Sequence, residues 1–261
     1  MVATLQFHAD GYLAGTRQRP HRHEELHLSL VLSGRVTETV GHVTVSAGAL
    51  SVVAKDAGVV HANDFGPNAA CMVRLTLQAG TIAGLIDDPA RASSWRWTHS
   101  SAAGPYLRLV RRATGARSSF PADDPDLLDL LAAVSARPAA PPRGCPPRWL
   151  VETMEDLRGG VRPGGSVAAV ARRVGVHPVY LARCVRRWYG TSVGDELRRL
   201  RLQAAASVIA EPRGTLSQVA HEGGFSDEPH LCRDFRRVAG MTPGRFRRLV
   251  RNLDYTWRGG R

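Results

Sequence analysis

The chain has 261 residues, of which 43% are hydrophobic and 22% charged, too long for one ordinary domain and apolar enough to bury real cores, so broad disorder is excluded. A net charge of +12 points to a polyanionic partner, nucleic acid or an anionic membrane surface. No apolar run approaches the roughly 18 residues of a membrane helix, and Met1–His8 lacks the basic start of a secretory leader, so neither is expected.

Cys71, Cys145, Cys184 and Cys232 lie far apart with no CxxC pair, which predicts reduced thiols and a cytoplasmic protein. Lys55 is the single lysine among the basic residues, and the rest are arginines, whose planar fork suits phosphate and guanine.

From Leu26 to Leu77 the apolar residues alternate and are often β-branched, with turn signals at Ser33-Gly34, Gly41, Gly48, Gly58 and Gly66-Pro67-Asn68. Short strands with turns at that spacing predict a sandwich or small barrel over residues 1–80. In an extended strand His21, His23, Glu25 and His27 share one side, while Leu26, Leu28, Leu30 and Leu32 share the other, which helices or a partner must cover. The run His21-x-His23-x3-His27, then Gly34, then a later glycine-containing run ending in His61, resembles the two metal motifs of the cupin fold over about residues 15–78. His27 stands where that family usually has glutamate.

The resemblance implies a jelly-roll-like barrel whose pocket binds a divalent metal (Zn, Fe, Mn or Ni) through His21, His23, His27 and His61, with Glu25 or Glu38 in support. The alternative is a metal-free pocket for a small-molecule effector, in which the same histidines hydrogen-bond ligand or structure.

Between 81 and 135 the periodicity turns helical: Tyr106, Leu107 and Val110 form one face, and Leu127, Leu128, Leu130, Leu131 and Val134 another, after an Asp123-Asp124-Pro125 start. These helices are expected to pack on the barrel or to make a dimer contact. Residues 136–148 carry five prolines and predict a linker. The charge divides there, net +3 before residue 149 and +9 from it onward.

Past the linker the pattern is helical throughout 149–253, with a basic tail at 254–261. Ser166 caps Val167–Val174, Gly175 turns the chain, and Val179–Trp188 follows; Thr215 caps Leu216–Glu222, Gly223-Gly224 turn it, and Ser226 caps Asp227–Val238. Each is a helix-turn-helix layout. Val193–Ala210 between them predicts one continuous helix about 27 Å long, a separation that suits successive major-groove segments about 34 Å apart.

The stretch Gly223-Gly224-Phe225-Ser226-Asp227-Glu228-Pro229-His230-Leu231, then Phe235, Gly240-Met241-Thr242-Pro243 and Phe246-Arg247, resembles the C-terminal signature of AraC-family transcription regulators. Val170-Ala171, Gly175-Val176, Tyr180–Arg183 and Arg201-Leu202 are similar to its more variable first half. Cys184, Ser192 and Leu231 depart from the usual residues.

Helix geometry turns Leu181, Val185, Leu231 and Phe235 inward and puts Val179, Ala182, Arg183, Glu228, His230 and Arg233 on the opposite face as candidate base contacts, and the resemblance implies base contact at Arg183 and Arg233. Thr215, Ser226, Arg186, Arg187, Arg236 and Arg237 are candidate phosphate contacts. The resemblance implies a two-domain, non-enzymatic regulator of double-stranded DNA, an activator, controlled by a small molecule or metal in the barrel. A homodimer and contact with RNA polymerase are further expectations. Two alternatives stay open: a metal-dependent cupin enzyme carrying a DNA-binding module, and a constitutive DNA binder whose barrel only dimerises.

Overall fold

The computed structural model describes residues 2–77, 95–99, 101–113, 115–136, 144–160, 166–211 and 214–258. The centre of the expected linker, 137–143, lies outside the described residues, as do 78–94.

The N-terminal strands are β1 (Val2–Tyr12), β2 (Arg17–His21), β3 (Leu26–Ser33), β4 (Arg35–Val40), β5 (Val43–Gly48), β6 (Ser51–Lys55), β7 (His61–Asp64), β8 (Ala70–Leu77), β9 (Arg96–His99) and β10 (Arg117–Pro121). The large sheet runs β10-β1-β8-β3-β6-β9 and the small one β2-β7-β4-β5. They stack as an open, jelly-roll-like sandwich and do not close into a barrel.

Strict alternation gives the large sheet two unlike faces. Leu5, Leu28, Leu30, Leu32, Val73 and Leu75, all 0–1% exposed, face the helices. Tyr12, Val31 and Met72 face inward toward Val36 and Phe65. A one-residue slip of β3 would put His27 and Ser29 in the apolar layer, so burial of three leucines, each worth about 1.5–3 kcal/mol, pins the register that aims the histidines.

The helices over this sheet are α1 (Ala103–Arg112) and α2 (Pro125–Ser135). Tyr106 is fully buried, and its hydroxyl reaches the carbonyl oxygens of Leu28 and Val73, each at 2.8 Å. The Asp124 carboxylate caps α2 by accepting from the Asp126 and Leu127 amides and is gripped by both Arg112 Nη atoms at 2.7 and 2.8 Å. Leu127, Leu130, Leu131 and Val134 are buried in the chain's own core, while Leu128 turns out to solvent. That apolar face is therefore covered within the chain itself.

The C-terminal helices are α3 (Arg148–Gly160), α4 (Val167–Arg173), α5 (Pro178–Tyr189), α6 (Val193–Ala210), α7 (Leu216–Glu222), α8 (Glu228–Ala239) and α9 (Pro243–Arg251). Side-chain caps explain where they begin: Ser166 on α4, His177 on α5, Ser192 on α6, a Thr215–Gln218 capping box on α7, and Thr242 on α9. The cap of α8 is Asp227, whose carboxylate takes the His230 amide at 2.6 Å, and not Ser226 as the sequence suggested. The helix begins one residue later, and the Ser226 hydroxyl bonds the His230 ring instead, at 3.0 Å. Gly190 and Gly240 end α5 and α8 in the left-handed conformation.

The two units sit in different cores. Leu150, Met154, Leu157, Val170, Leu181, Val185 and Leu197 form a separate cluster around the first unit. Phe225, Leu231, Phe235, Met241 and Phe246 of the second join one continuous core with the large sheet and α1.

The seam between the second unit and α1 is tight: a Cβ on Gly104 would meet the Val238 carbonyl oxygen at 3.1 Å. Tyr255–Arg258, within the segment expected as a basic tail, form β11, parallel to β1 of the N-terminal sheet.

Candidate DNA-reading helices and a histidine cavity

The buried stripe of α5 comprises Leu181, Cys184 and Val185, and that of α8 comprises Leu231, Asp234, Phe235 and Ala239. Opposite them, Arg183, Arg186 and Arg187 are exposed on α5, and Arg233, Arg236 and Arg237 on α8. Val179 is 59% exposed, while Ala182, Glu228 and His230 are half-buried.

His230 is restrained: its ring packs edge-on to Phe225 and lies between Ser226 and Asp234, with Nε2 3.5 Å from the latter. Arg237 leans back to 3.8 Å from Asp234. Thr215 spends both its hydroxyl and its amide on Gln218 in the capping box, and Ser226 spends both on the His230 ring, so neither expected phosphate contact is a free donor.

Other arginines of this region are committed internally. Arg158 and Arg199 hold the buried Glu196, Arg198 pairs with Asp195 at 2.7 Å, and Arg247 donates to the carbonyl oxygens of Ile209 and Gly214. Arg158 and Arg199 together keep Glu196 ionised to about pH 2 against the cost of its burial. Arg183, Arg186, Arg233 and Arg236 are exposed and in no salt bridge with a described residue, so the outer faces of α5 and α8 carry uncommitted charge, as do Arg172, Arg173, Arg245, Arg248 and Arg251 on α4 and α9.

The second site is a cavity of about 140 Å³ between the sheets, whose lining includes His21, His23, His27, His61, Lys55 and Arg74. His21 and His61 face each other in the β2–β7 register, and His23 sits in the bend after β2. One nitrogen from each of His21, His23 and His61 falls within 4.8 Å of the other two. The backbone sets two of the tautomers: Nδ1–H of His21 donates to the Arg19 carbonyl at 2.8 Å and that of His61 to the Val59 carbonyl at 3.0 Å. Both Nε2 lone pairs are thereby left bare, as in histidines that bind metals, and Nε2 of His61 is buried without a partner.

Burial, reinforced by neighbouring cationic and imidazole groups, lowers the His23 pKa to about 4 and that of His27 to about 3, and burial lowers that of His61, so these rings are neutral at pH 7.

His27 stands beside the three, its ring 4.3 Å from that of His23 and its Nδ1 3.3 Å from Thr76 Oγ1. Glu25 does not line the cavity: β2 ends at His21 and the chain bends before Leu26, which breaks the alternation assumed for an unbroken strand and turns Glu25 to solvent. Glu38 reaches the cavity wall, but its oxygens are taken by Lys55 Nζ at 2.5 Å and by the Trp95 indole N–H.

Sequence reasoning missed Asp10, Lys55, Arg74, Trp97 and Arg258, which also line the cavity. Lys55 carried one signal, as a lone lysine among arginines. The remainder are brought in by sheet order and by the returning β11.

A family model described as a helix-turn-helix domain matches residues 170–249. The chain is 31% identical over 125 residues to the HTH-type transcriptional regulator GlxA of Rhizobium meliloti (strain 1021), covering 45% of this chain and 39% of that protein. It is 30% identical over 146 residues to the HTH-type transcriptional regulator Rv1931c of Mycobacterium tuberculosis (strain ATCC 25618 / H37Rv), covering 53% and 56%. It is 34% identical over 83 residues to a putative AraC-like transcription regulator of Streptomyces lividans, covering 32% and 27%. The match thus spans less than two thirds of the length of each of these relatives.

Proposed function

Because this chain belongs, through its C-terminal region, to the AraC-type helix-turn-helix family, we propose that the whole protein is a sequence-specific regulator of transcription, an activator, governed by what occupies the histidine cavity. The observation that carries the reading is the pair of exposed, uncommitted arginine faces on α5 and α8, joined by the 18-residue α6. Val179, Ala182, Arg183, Glu228 and Arg233 read base edges, with His230 holding the start of α8. Arg186, Arg187, Arg236 and Arg237 grip phosphates. A salt-dependent gel shift on the chain's own upstream DNA tests this, and equal affinity for scrambled DNA at every salt concentration refutes it.

His21, His23 and His61 fit a divalent metal: three neutral imidazoles, two with their outer nitrogen anchored to a carbonyl, and one bare buried Nε2. A bound metal would supply a Lewis-acid position on which a small effector can be fixed. His27 closes the wall beside them.

The path to DNA runs through β11, the element that follows α9 of the second unit: its last residue, Arg258, lines the cavity and pairs with the buried Asp10 at 3.0 Å. An occupant that shifts Arg258 therefore bears on the unit carrying Arg233.

A metal-dependent cupin enzyme with an attached DNA module is the second reading, favoured by the coordination positions that three histidines leave open. Turnover of a cavity ligand by metal-loaded protein would establish it over the regulator without catalysis. A homodimer and RNA polymerase remain the proposed protein partners, and DNA affinity indifferent to any occupant would leave the constitutive binder.

A further inference from the structure

The walls of the histidine cavity carry more positive than negative charge. Lys55 is matched by Glu38, whereas Arg74 and Arg258 share the single carboxylate of Asp10, at 3.6 and 3.0 Å. Each of these five residues lines the cavity. A divalent metal on three neutral histidines would raise the surplus further. Arg74, whose side chain is 24% exposed, holds part of that surplus largely out of water, where an anion beside it offsets the cost.

Two hydrogen-bond donors on the same walls are also idle. Nε–H of Arg74 and Nε1–H of Trp97 are buried and meet no acceptor, and neither group can itself accept. The cavity's 140 Å³ equals the liquid volume of about five waters, which limits an occupant to a handful of heavy atoms.

We propose that the cavity takes a small carboxylate of three or four carbons, one end on the metal held by His21, His23 and His61 and its remaining acceptors on Arg74 Nε and Trp97 Nε1. The proposal rests on the metal reading above and names the ligand class that reading leaves open. The carboxylate neutralises the surplus charge, fills an open coordination position and satisfies both idle donors. Because Arg74 also faces Asp10, the ligand competes for the guanidinium that helps hold the carboxylate partner of Arg258.

The test uses the full chain loaded with cobalt(II), whose visible absorption reports a change of ligand, together with calorimetric titration of L-lactate, pyruvate and, as the neutral control, lactamide. We expect one cobalt per chain, saturable binding of lactate or pyruvate with a shift of the cobalt bands, and lactamide at least tenfold weaker. Arg74→Met should weaken the carboxylate at least tenfold and Trp97→Phe at least threefold, both with cobalt content unchanged. Should Arg74→Met fail to fold, Trp97→Phe decides, since it removes the indole N–H while keeping an aromatic ring and altering no charge.

Cobalt uptake with no carboxylate binding, or with lactamide bound as tightly, or with affinity untouched by Trp97→Phe, overturns the ligand while leaving the metal site standing. Absence of cobalt uptake overturns both.

Discussion

Arg183 and Arg233 stand fifty residues apart at equivalent places on α5 and α8, each two residues beyond a fully buried leucine, Leu181 and Leu231. The buried leucine fixes the rotation of its helix about its axis, and that rotation presents the arginine to solvent. Each unit thus offers one exposed forked donor at the equivalent helix position. If both arginines reach guanine, Arg183→Ala and Arg233→Ala should each lose about 1–3 kcal/mol of discrimination at one operator position. Arg236→Ala should instead weaken all sequences alike and lower the salt slope by about 1. Fluorescence anisotropy against an operator library, repeated at several salt concentrations, separates the two patterns.

Metal removal gives a second expectation. At a metal concentration 100 times its Kd, binding should stabilise the fold by about 2.7 kcal/mol, an increment that chelator removes. His23→Ala and His61→Ala should abolish it, while Glu25→Ala should not change it, because Glu25 points to solvent. Thermal melts with and without chelator read this directly.

The lowered pKa values of His23 and His27, about 4 and about 3, predict acid sensitivity in the metal-free protein. Between these values and the ordinary 6.5 the unfolded chain binds more protons than the folded one, so stability rises with pH through that window and falls as pH drops below about 6.5. Because the rings are partly solvated, each contributes roughly 1 kcal/mol at pH 5. Denaturant titrations in chelator at pH 7, 6 and 5 should show the decline, and His27→Gln should reduce it.

The Arg112 guanidinium is the main cause holding the Asp124 carboxyl below its ordinary range. Asp124→Ala removes the cap of α2 and leaves Arg112 with Asp126 alone, a change expected to cost about 2 kcal/mol. The contribution of this carboxylate is complete above the unfolded value near 3.8 and disappears as pH falls through the depressed folded value. Urea midpoints of wild type and variant, at pH 7 and pH 3, check both the size and the sign.

Arg258→Ala should separate sensing from reading. Asp10 is 3% exposed and would keep only the longer contact to Arg74, so a stability loss of about 1–3 kcal/mol is expected. Metal uptake at His21, His23 and His61 should persist, while the difference in DNA affinity between metal-loaded and metal-free protein should vanish. Retention of that difference would rule out β11 as the path.

Local patterns alone determined much of this protein: Ser166 and Thr215 mark helix starts, Gly190 and Gly240 mark ends, and the parity of Leu26–Leu32 separates a covered sheet face from a polar one. These are short-range effects of capping, turn conformation and alternation, and they read directly from neighbouring residues. The matched arginines of α5 and α8 were legible for the same reason, since a helix face follows from 3.6 residues per turn.

The tertiary structure alone decided where alternation stopped and which distant segments met. The bend before Leu26 expelled Glu25 and kept His27, although all four side chains share one parity. Sheet order placed Lys55, Arg74 and Trp97 around the histidines. The return of β11 to β1 brought Arg258 to Asp10 across 248 residues, and the Gly104 seam joined the second reading unit to the sensing core. Such contacts depend on packing summed over the whole chain, and no local pattern of residues encodes them.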